Sequence, residues 1–250
     1  MIDIEEFVHK LLSDLSALPE ERMRLDLLGR RLSHLSPEDS ARAIDLIYKM
    51  GPPAVHAKKA ASLLVDPEGL KTALGPERYR LIYLAAIGLG LGKVSRLFTD
   101  LPPLKKGLSG YETEEEAPME LLSLGERRAL SKKQAKDVID RLLSDPDPMV
   151  IGNILNNPRT TEKEVLKVAS KRPNSPAILK LVVAHGKWSK RYDVKKAVAL
   201  NPYTPPRVTV ALLESLMTQD LRAIAEDQTI HPQAREAAKD IVKERDRGRV

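Results

Sequence analysis

The 250-residue chain contains no cysteine. That absence removes disulfides, thiolate metal sites, iron–sulfur clusters and cysteine nucleophiles together. Aromatic residues make up only 4% of the chain, and β-branched runs of alternating polarity, which would mark half-buried strands, are scarce. No apolar stretch approaches the roughly 18 residues needed to span a bilayer. The longest, LIYLAAIGLGLG from Leu81 to Gly92, is too short. The opening residues, MIDIEEFVHKLLSDL, carry acids where a secretory signal requires bases. A cytoplasmic protein without membrane insertion is the expectation. No Gly-x-Ser-x-Gly elbow exposes a nucleophile. The histidines His9, His34, His56, His185 and His231 are dispersed, and none has a neighbouring ligand at i+3 or i+4 that makes a convincing metal set. Paired carboxylates such as Glu20 and Glu21 fall at helix starts, where the helix dipole accounts for them. The chain is therefore expected not to be an enzyme and to carry no cofactor and no metal.

What the chain does have is helix-forming material. Hydrophobic residues are 42% of it and charged residues 30%, enough for both a core and a solvated surface. An all-α fold follows. In the first part, Ile4, Phe7, Val8, Leu11, Leu12 and Leu15 form a stripe at helical spacing, ended by Pro19. A second helix is expected from about Glu20 to His34. Ser36-Pro37 suits the N-cap and first position of a third, with Ala43, Ile44, Leu46 and Ile47 on its buried face. A fourth is expected from Ala54 to Val65, with more helix through Leu91. Residues 1–98 thus read as a helical array. Thr99 to Pro118 combines a Pro-Pro pair, two glycines and the acids Glu112, Glu114, Glu115 and Glu116, and is expected to be a solvated hinge. Residues 119–250 form the second domain.

In that second domain the sequence repeats itself. A shift of 44 residues places Val150 on Val194, Ile154 on Val198, Asn157 on Asn201, Pro158 on Pro202 and Thr160 on Thr204. One period earlier, Met119 to Arg128 falls on Lys163 to Arg172, and Ser131 on Ser175. One period later, Ala238 and Val242 fall on Val194 and Val198. Three copies are expected, at roughly 113–156, 157–200 and 201–244. Thr161 and Glu164 make a capping box, Pro173 closes that helix, and Ser175-Pro176 opens the next. The recurring Asn-Pro-x-Thr is read as punctuation: proline keeps the preceding residue out of the α region, and the asparagine amide bonds locally to freed backbone groups.

Helical units of this length resemble the HEAT and armadillo class of α-solenoids, and the Asn-Pro-x-Thr-Pro turn before a leucine-rich helix is similar to the leucine-rich repeat variant. The resemblance covers residues 113–244. It implies a stacked α-solenoid of about three 44-residue repeats, whose usual role is protein–protein interaction or scaffolding. The iron–sulfur cluster that some leucine-rich repeat variant proteins carry is not implied, because its cysteine ligands are missing. HEAT-like bacterial DNA glycosylases resemble the chain in size, helicity and basicity, but no carboxylate here matches their catalytic one.

Two further features bear on chemistry. Gly88, Gly90 and Gly92 precede Lys93 in the manner of a phosphate loop, but Ile87 stands where the first glycine belongs and Val94 where Ser or Thr belongs. A helix end is the better reading. The net charge of +6 and pI near 9.4 admit an acidic partner. The charge gathers in the middle repeat, where Lys163, Lys167, Lys171, Lys187, Lys190, Arg191, Lys195 and Lys196 surround Trp188 and Tyr192. Lys163, Lys167 and Lys171 share one helix face. This face is the candidate partner-binding site, expected to meet an acidic protein surface; the alternative is nucleic acid, with phosphates on the cations and Trp188 or Tyr192 stacked on a base. For Trp188 itself, burial in the seam between repeats is the favoured role.

Overall fold

The computed structural model describes residues 3–50, 63–64, 67–107, 122–133 and 135–247. Among them are fifteen α-helices and no strand. The protein is all-α. The chain divides into two compact units, Met1–Asp100 and Leu101–Val250. The boundary falls inside the stretch read as a hinge, of which residues 108–118 lie outside the described residues, as does nearly all of the expected helix from Ala54 to Val65.

The first unit contains α1 (Ile4–Ala17), α2 (Glu21–Ser33), α3 (Pro37–Lys49), α4 (Pro67–Leu74), α5 (Pro76–Gly88) and α6 (Gly92–Leu97). Asp3 caps α1, accepting from the Glu5 N–H at 2.9 Å, and Ser36 caps α3, accepting from the Asp39 N–H at 3.0 Å. The core is built where the apolar stripes meet: Val8, Leu11, Leu12 and Leu15 of α1, Leu28 and Leu32 of α2, Ile44 and Ile47 of α3, and Tyr79 and Ile82 of α5. Helix α2 packs on α4 so closely that a Cβ at Gly29 would stand 2.7 Å from the Ala73 carbonyl oxygen. Tyr79 stacks on Phe98 with ring centroids 4.6 Å apart, and its hydroxyl donates to the Leu97 carbonyl at 3.1 Å. The glycine-rich run ends α5. Gly90, at φ +66°, donates to the Ile87 carbonyl while Leu91 donates to that of Ala86, which is the paired-bond C-terminal motif that needs a left-handed residue.

The second unit holds three groups of three helices. They are α7 (Leu124–Ser131), α8 (Lys136–Leu142) and α9 (Pro148–Leu155); α10 (Glu162–Ser170), α11 (Pro176–Ala184) and α12 (Tyr192–Ala199), with a 3₁₀ turn at Trp188–Lys190; and α13 (Pro206–Leu213), α14 (Thr218–Glu226) and α15 (Pro232–Arg247). The third helix of each group packs on the first. In the middle group both pairs of ends adjoin: Arg191 before α12 reaches Glu162 at the start of α10, at 3.5 Å, and Arg172 beyond α10 donates to the Leu200 carbonyl beyond α12, at 2.6 Å. Helices α10 and α12 therefore run parallel.

The 44-residue shift holds for the first helices of the second and third groups, carrying Glu162 at the start of α10 onto Pro206 at the start of α13, while the starts of the second and third helices lie closer, from Pro176 to Thr218 and from Tyr192 to Pro232. It does not hold for the first helix of the first group. Met119 to Arg128 is not one helix: Leu122 and Ser123 precede α7, which opens on a capping box between Ser123 and Glu126. The equivalent of Ser123 is Thr161, a shift of 38 residues, because α7, α8 and the connections of the first group are shorter. Ser131 ends α7, whereas Ser175 precedes α11.

The Asn-Pro-x-Thr turns are the fastenings of these groups. Each threonine hydroxyl caps its own helix, Thr160 donating to the Ile154 carbonyl at 2.6 Å and Thr204 to that of Val198 at 2.7 Å. Each asparagine makes the expected local bond, its Oδ1 accepting from the N–H two residues on, of Arg159 at 3.0 Å and of Tyr203 at 3.1 Å, and its amide nitrogen also reaches across to another helix. Asn157 Nδ2 donates to the Lys133 carbonyl beyond α7 at 2.9 Å; Asn201 Nδ2 donates to the carbonyls of Ala169 and Lys171, at the end of α10, at 2.8 and 3.0 Å. Both asparagines are buried. Helix α15 continues past the matching point, and there Arg245 stands 44 residues after Asn201. Its guanidinium donates to the carbonyls of Leu216 and Glu214, beyond α13, at 2.7 and 3.0 Å.

Asn201→Ala would remove both of its cross-helix bonds, the buried one to Ala169 among them, a loss of roughly 1–3 kcal/mol. Urea unfolding of Asn201→Ala and Asn157→Ala checks this, with the larger loss expected at Asn201, which makes two cross-helix bonds to the one of Asn157. Equal, negligible losses would mean that the turns fasten nothing.

Candidate functional site

Helix α10 carries the core of the basic face. Its capping box is built like that of α7, the Glu164 carboxylate taking both the Thr161 N–H at 2.8 Å and the Thr161 hydroxyl at 2.5 Å, and differs in that the carboxylate also meets Lys136 Nζ at 2.7 Å. Glu164, Val165, Val168 and Ala169 point inward, which leaves Lys163 and Lys167 on the outer side, exposed. Burial works against ionisation of Glu164, but the Lys136 ammonium and the two Thr161 donors outweigh it and hold the carboxyl down at about 2.

The remaining cations of the face do not share one surface. Lys171 is half-buried and its Nζ donates to the Ser144 carbonyl at 2.5 Å, beyond the end of α8. Lys187 lies over the Trp188 ring, 4.0 Å from its centroid. Arg191 is held by Glu162. Lys196 pairs with Asp220 of α14 at 2.8 Å, and the same carboxylate accepts from the Tyr192 hydroxyl, whose oxygen accepts the Met217 N–H at 3.0 Å. These bonds tie α12 to the start of α14. Lys195 is half-buried on α12.

Trp188 is not available for stacking on a ligand, and Tyr192 is tied down at its hydroxyl. Trp188 is 1% exposed, and its indole N–H donates to the Leu155 carbonyl, the last of α9, at 2.9 Å. It sits in the seam between the first and second groups of helices. Tyr192 is half-buried and its hydroxyl belongs to the Asp220 network. Their sequence context, aromatics among lysines, looks the same whether the ring faces a ligand or a helix end.

Three lysines of the candidate face are exposed with no hydrogen-bond, ion-pair or ring partner for the ammonium among the described residues: Lys163, Lys167 and Lys190. The Arg191–Glu162 pair brings two of them to one edge, since Lys190 precedes Arg191 and Lys163 follows Glu162. Lys167 continues that edge one turn along α10. Lys136 was not singled out by the sequence reading. Its one signal was a buried capping-box acid, Glu164, in need of a counter-charge.

Among the described residues no cluster of three or more His, Asp or Glu is arranged to hold a metal ion. None of the described helices is long and apolar enough to cross a membrane. Compared with protein-family models, with curated proteins and with solved structures, the chain has no significant match.

The Glu164 carboxyl is depressed relative to its ordinary value of 4.5. Its contribution to stability is therefore complete above pH 4.5 and is lost as the pH falls through about 2. Glu164→Gln is expected to lower stability at pH 7 and to flatten the fall in stability over that acid range, read as Tm against pH. Parallel curves for the two proteins would remove the ionic role assigned to Glu164.

Proposed function

We propose that residues 124–247 form an α-solenoid of the HEAT and armadillo type and act as a non-enzymatic protein-binding or scaffold module. The supporting features are the three successive groups of helices, the parallel course of α10 and α12, and the cross-helix fastening that recurs at Asn157 and Asn201. Repeats of this kind bury their apolar faces only against neighbours, which leaves a continuous outer flank for a partner.

The partner in this reading is an acidic protein segment laid along the edge made by Lys163, Lys167 and Lys190. One observation favours it over nucleic acid: Trp188 and Tyr192, the rings nearest these lysines in the sequence, are committed to the fold. An edge of lysines without aromatic platforms or bidentate arginines attracts negative charge but reads neither bases nor phosphate geometry. Conversion of Lys136, Lys171, Arg191 and Lys196 into internal ties leaves a narrow edge suited to an extended or helical acidic peptide.

A fluorescent Glu-rich peptide of about a dozen residues is the probe, with a single-stranded oligonucleotide of equal charge beside it. The expected result is peptide binding that falls at least tenfold in Lys163→Glu/Lys167→Glu/Lys190→Glu while helicity is unchanged. Binding of the oligonucleotide in preference, with a steep loss of affinity on adding salt, would replace this reading by the nucleic-acid one. Failure of both probes to bind would remove the edge as a docking site.

A further inference from the structure

Helix α5 is apolar on both sides. Tyr79, Ile82, Ala85 and Ala86 face the core of the first unit, while Leu81, Leu84 and Ile87 on the other side are 46%, 50% and 53% exposed. Charge on this side is limited to Glu77 and Arg80, whereas the outer face of an amphipathic surface helix is mostly polar. At 100° per residue, Arg80, Leu81, Leu84, Ile87 and Gly88 fall within an arc of about 120°. No other described helix has three large apolar side chains this exposed on one face.

We infer that this face is a self-association surface, on which α5 of a second copy of the chain packs antiparallel about a twofold axis through Leu84. The spacing is self-complementary in both shape and charge. With Leu84 opposite its own counterpart, Leu81 lies against Ile87 of the other copy and Ile87 against its Leu81. Arg80 lies against Gly88, where the missing side chain leaves room for the guanidinium; nothing stands within 4 Å of a Cβ built at Gly88. The last turn of α5 contains no basic residue. Arg80 of each copy therefore reaches the negative end of the other's helix. An isologous contact requires this reciprocity, in which each pairing occurs twice. A bulky residue at position 88 or an acid at position 80 would break it.

Three half-exposed side chains supply far less than the roughly 800 Å² per partner of a standard stable interface, so the dimer is weak, with a Kd on the order of 100 μM. Sedimentation of the full chain over a range of concentrations is expected to show a monomer–dimer equilibrium, and Leu84→Glu to abolish it without loss of helicity. The absence of native cysteine makes a second test specific. Leu84→Cys sits on the axis and is expected to form a disulfide-linked dimer under mild oxidation at least ten times faster than Gly88→Cys, which sits off it. A mixture of Arg80→Cys and Gly88→Cys is expected to cross-link as the mixed pair in preference to either like pair. A chain that stays monomeric at 0.5 mM, or Leu84→Cys that cross-links no faster than Gly88→Cys, overturns the inference, and would do so equally if another part of the same chain or a different protein covered the stripe.

Discussion

The constraint on which this molecule depends is the unsatisfied end of a short helix. An α-helix leaves its last four carbonyls without intrahelical donors whatever its length, and most helices of the second unit have only seven to nine residues. Such helices are close to half terminus. A fold made of them needs a supply of donors at its C-terminal ends, and here many of the donors are side chains from outside the helix they serve. Asn157 serves α7, Asn201 serves α10, Arg245 serves α13, Trp188 serves α9, Arg172 serves α12 and Lys171 the turn after α8. Arg78 does the same in the first unit, donating to the carbonyls of Leu32, at 3.0 Å, and Leu35 at the end of α2. Apolar burial draws the helices together, and these directional bonds set which end lies beside which.

That supply explains much of the basic composition. A lysine or arginine counted from sequence as surface charge is often a capping donor or half of an ion pair inside the fold. Lys171 and Arg172 are spent on carbonyls, and Lys136, Arg191 and Lys196 on the carboxylates Glu164, Glu162 and Asp220. The acids are drawn in the same way, at helix starts, where they satisfy N–H groups and a cation from the neighbouring helix at once. The net charge of +6 is therefore expressed through few free cations on the middle group of helices.

The fold class was legible because helical spacing and punctuation agree along the chain. Ser36-Pro37, Thr161 with Glu164, and the Asn-Pro turns each mark a helix boundary that the structure has. The period was legible between the starts of α10 and α13, and misleading at Met119 to Arg128, where shorter helices and loops shift the register and Ser123 takes the place of Thr161. Less of the basic face could be read. Its lysines at positions 163 and 167 follow from one helix's own periodicity, but the fate of Lys171, Lys196 and Trp188 depends on residues 24 to 33 positions away. The same holds for the asparagines, whose bonds to Lys133, Ala169 and Lys171 no local pattern announces.

The likeness of the Asn157 and Asn201 turns has a consequence for how such a chain can change in length. Both turns leave a helix by the same threonine cap, both fasten it to the first helix of its own group, and both lead into another first helix. A duplication or excision running from one turn to the other joins like to like and creates no new kind of junction. Arg245 makes the equivalent bond from within a helix that does not stop. Growth by whole modules is thus open at these two turns.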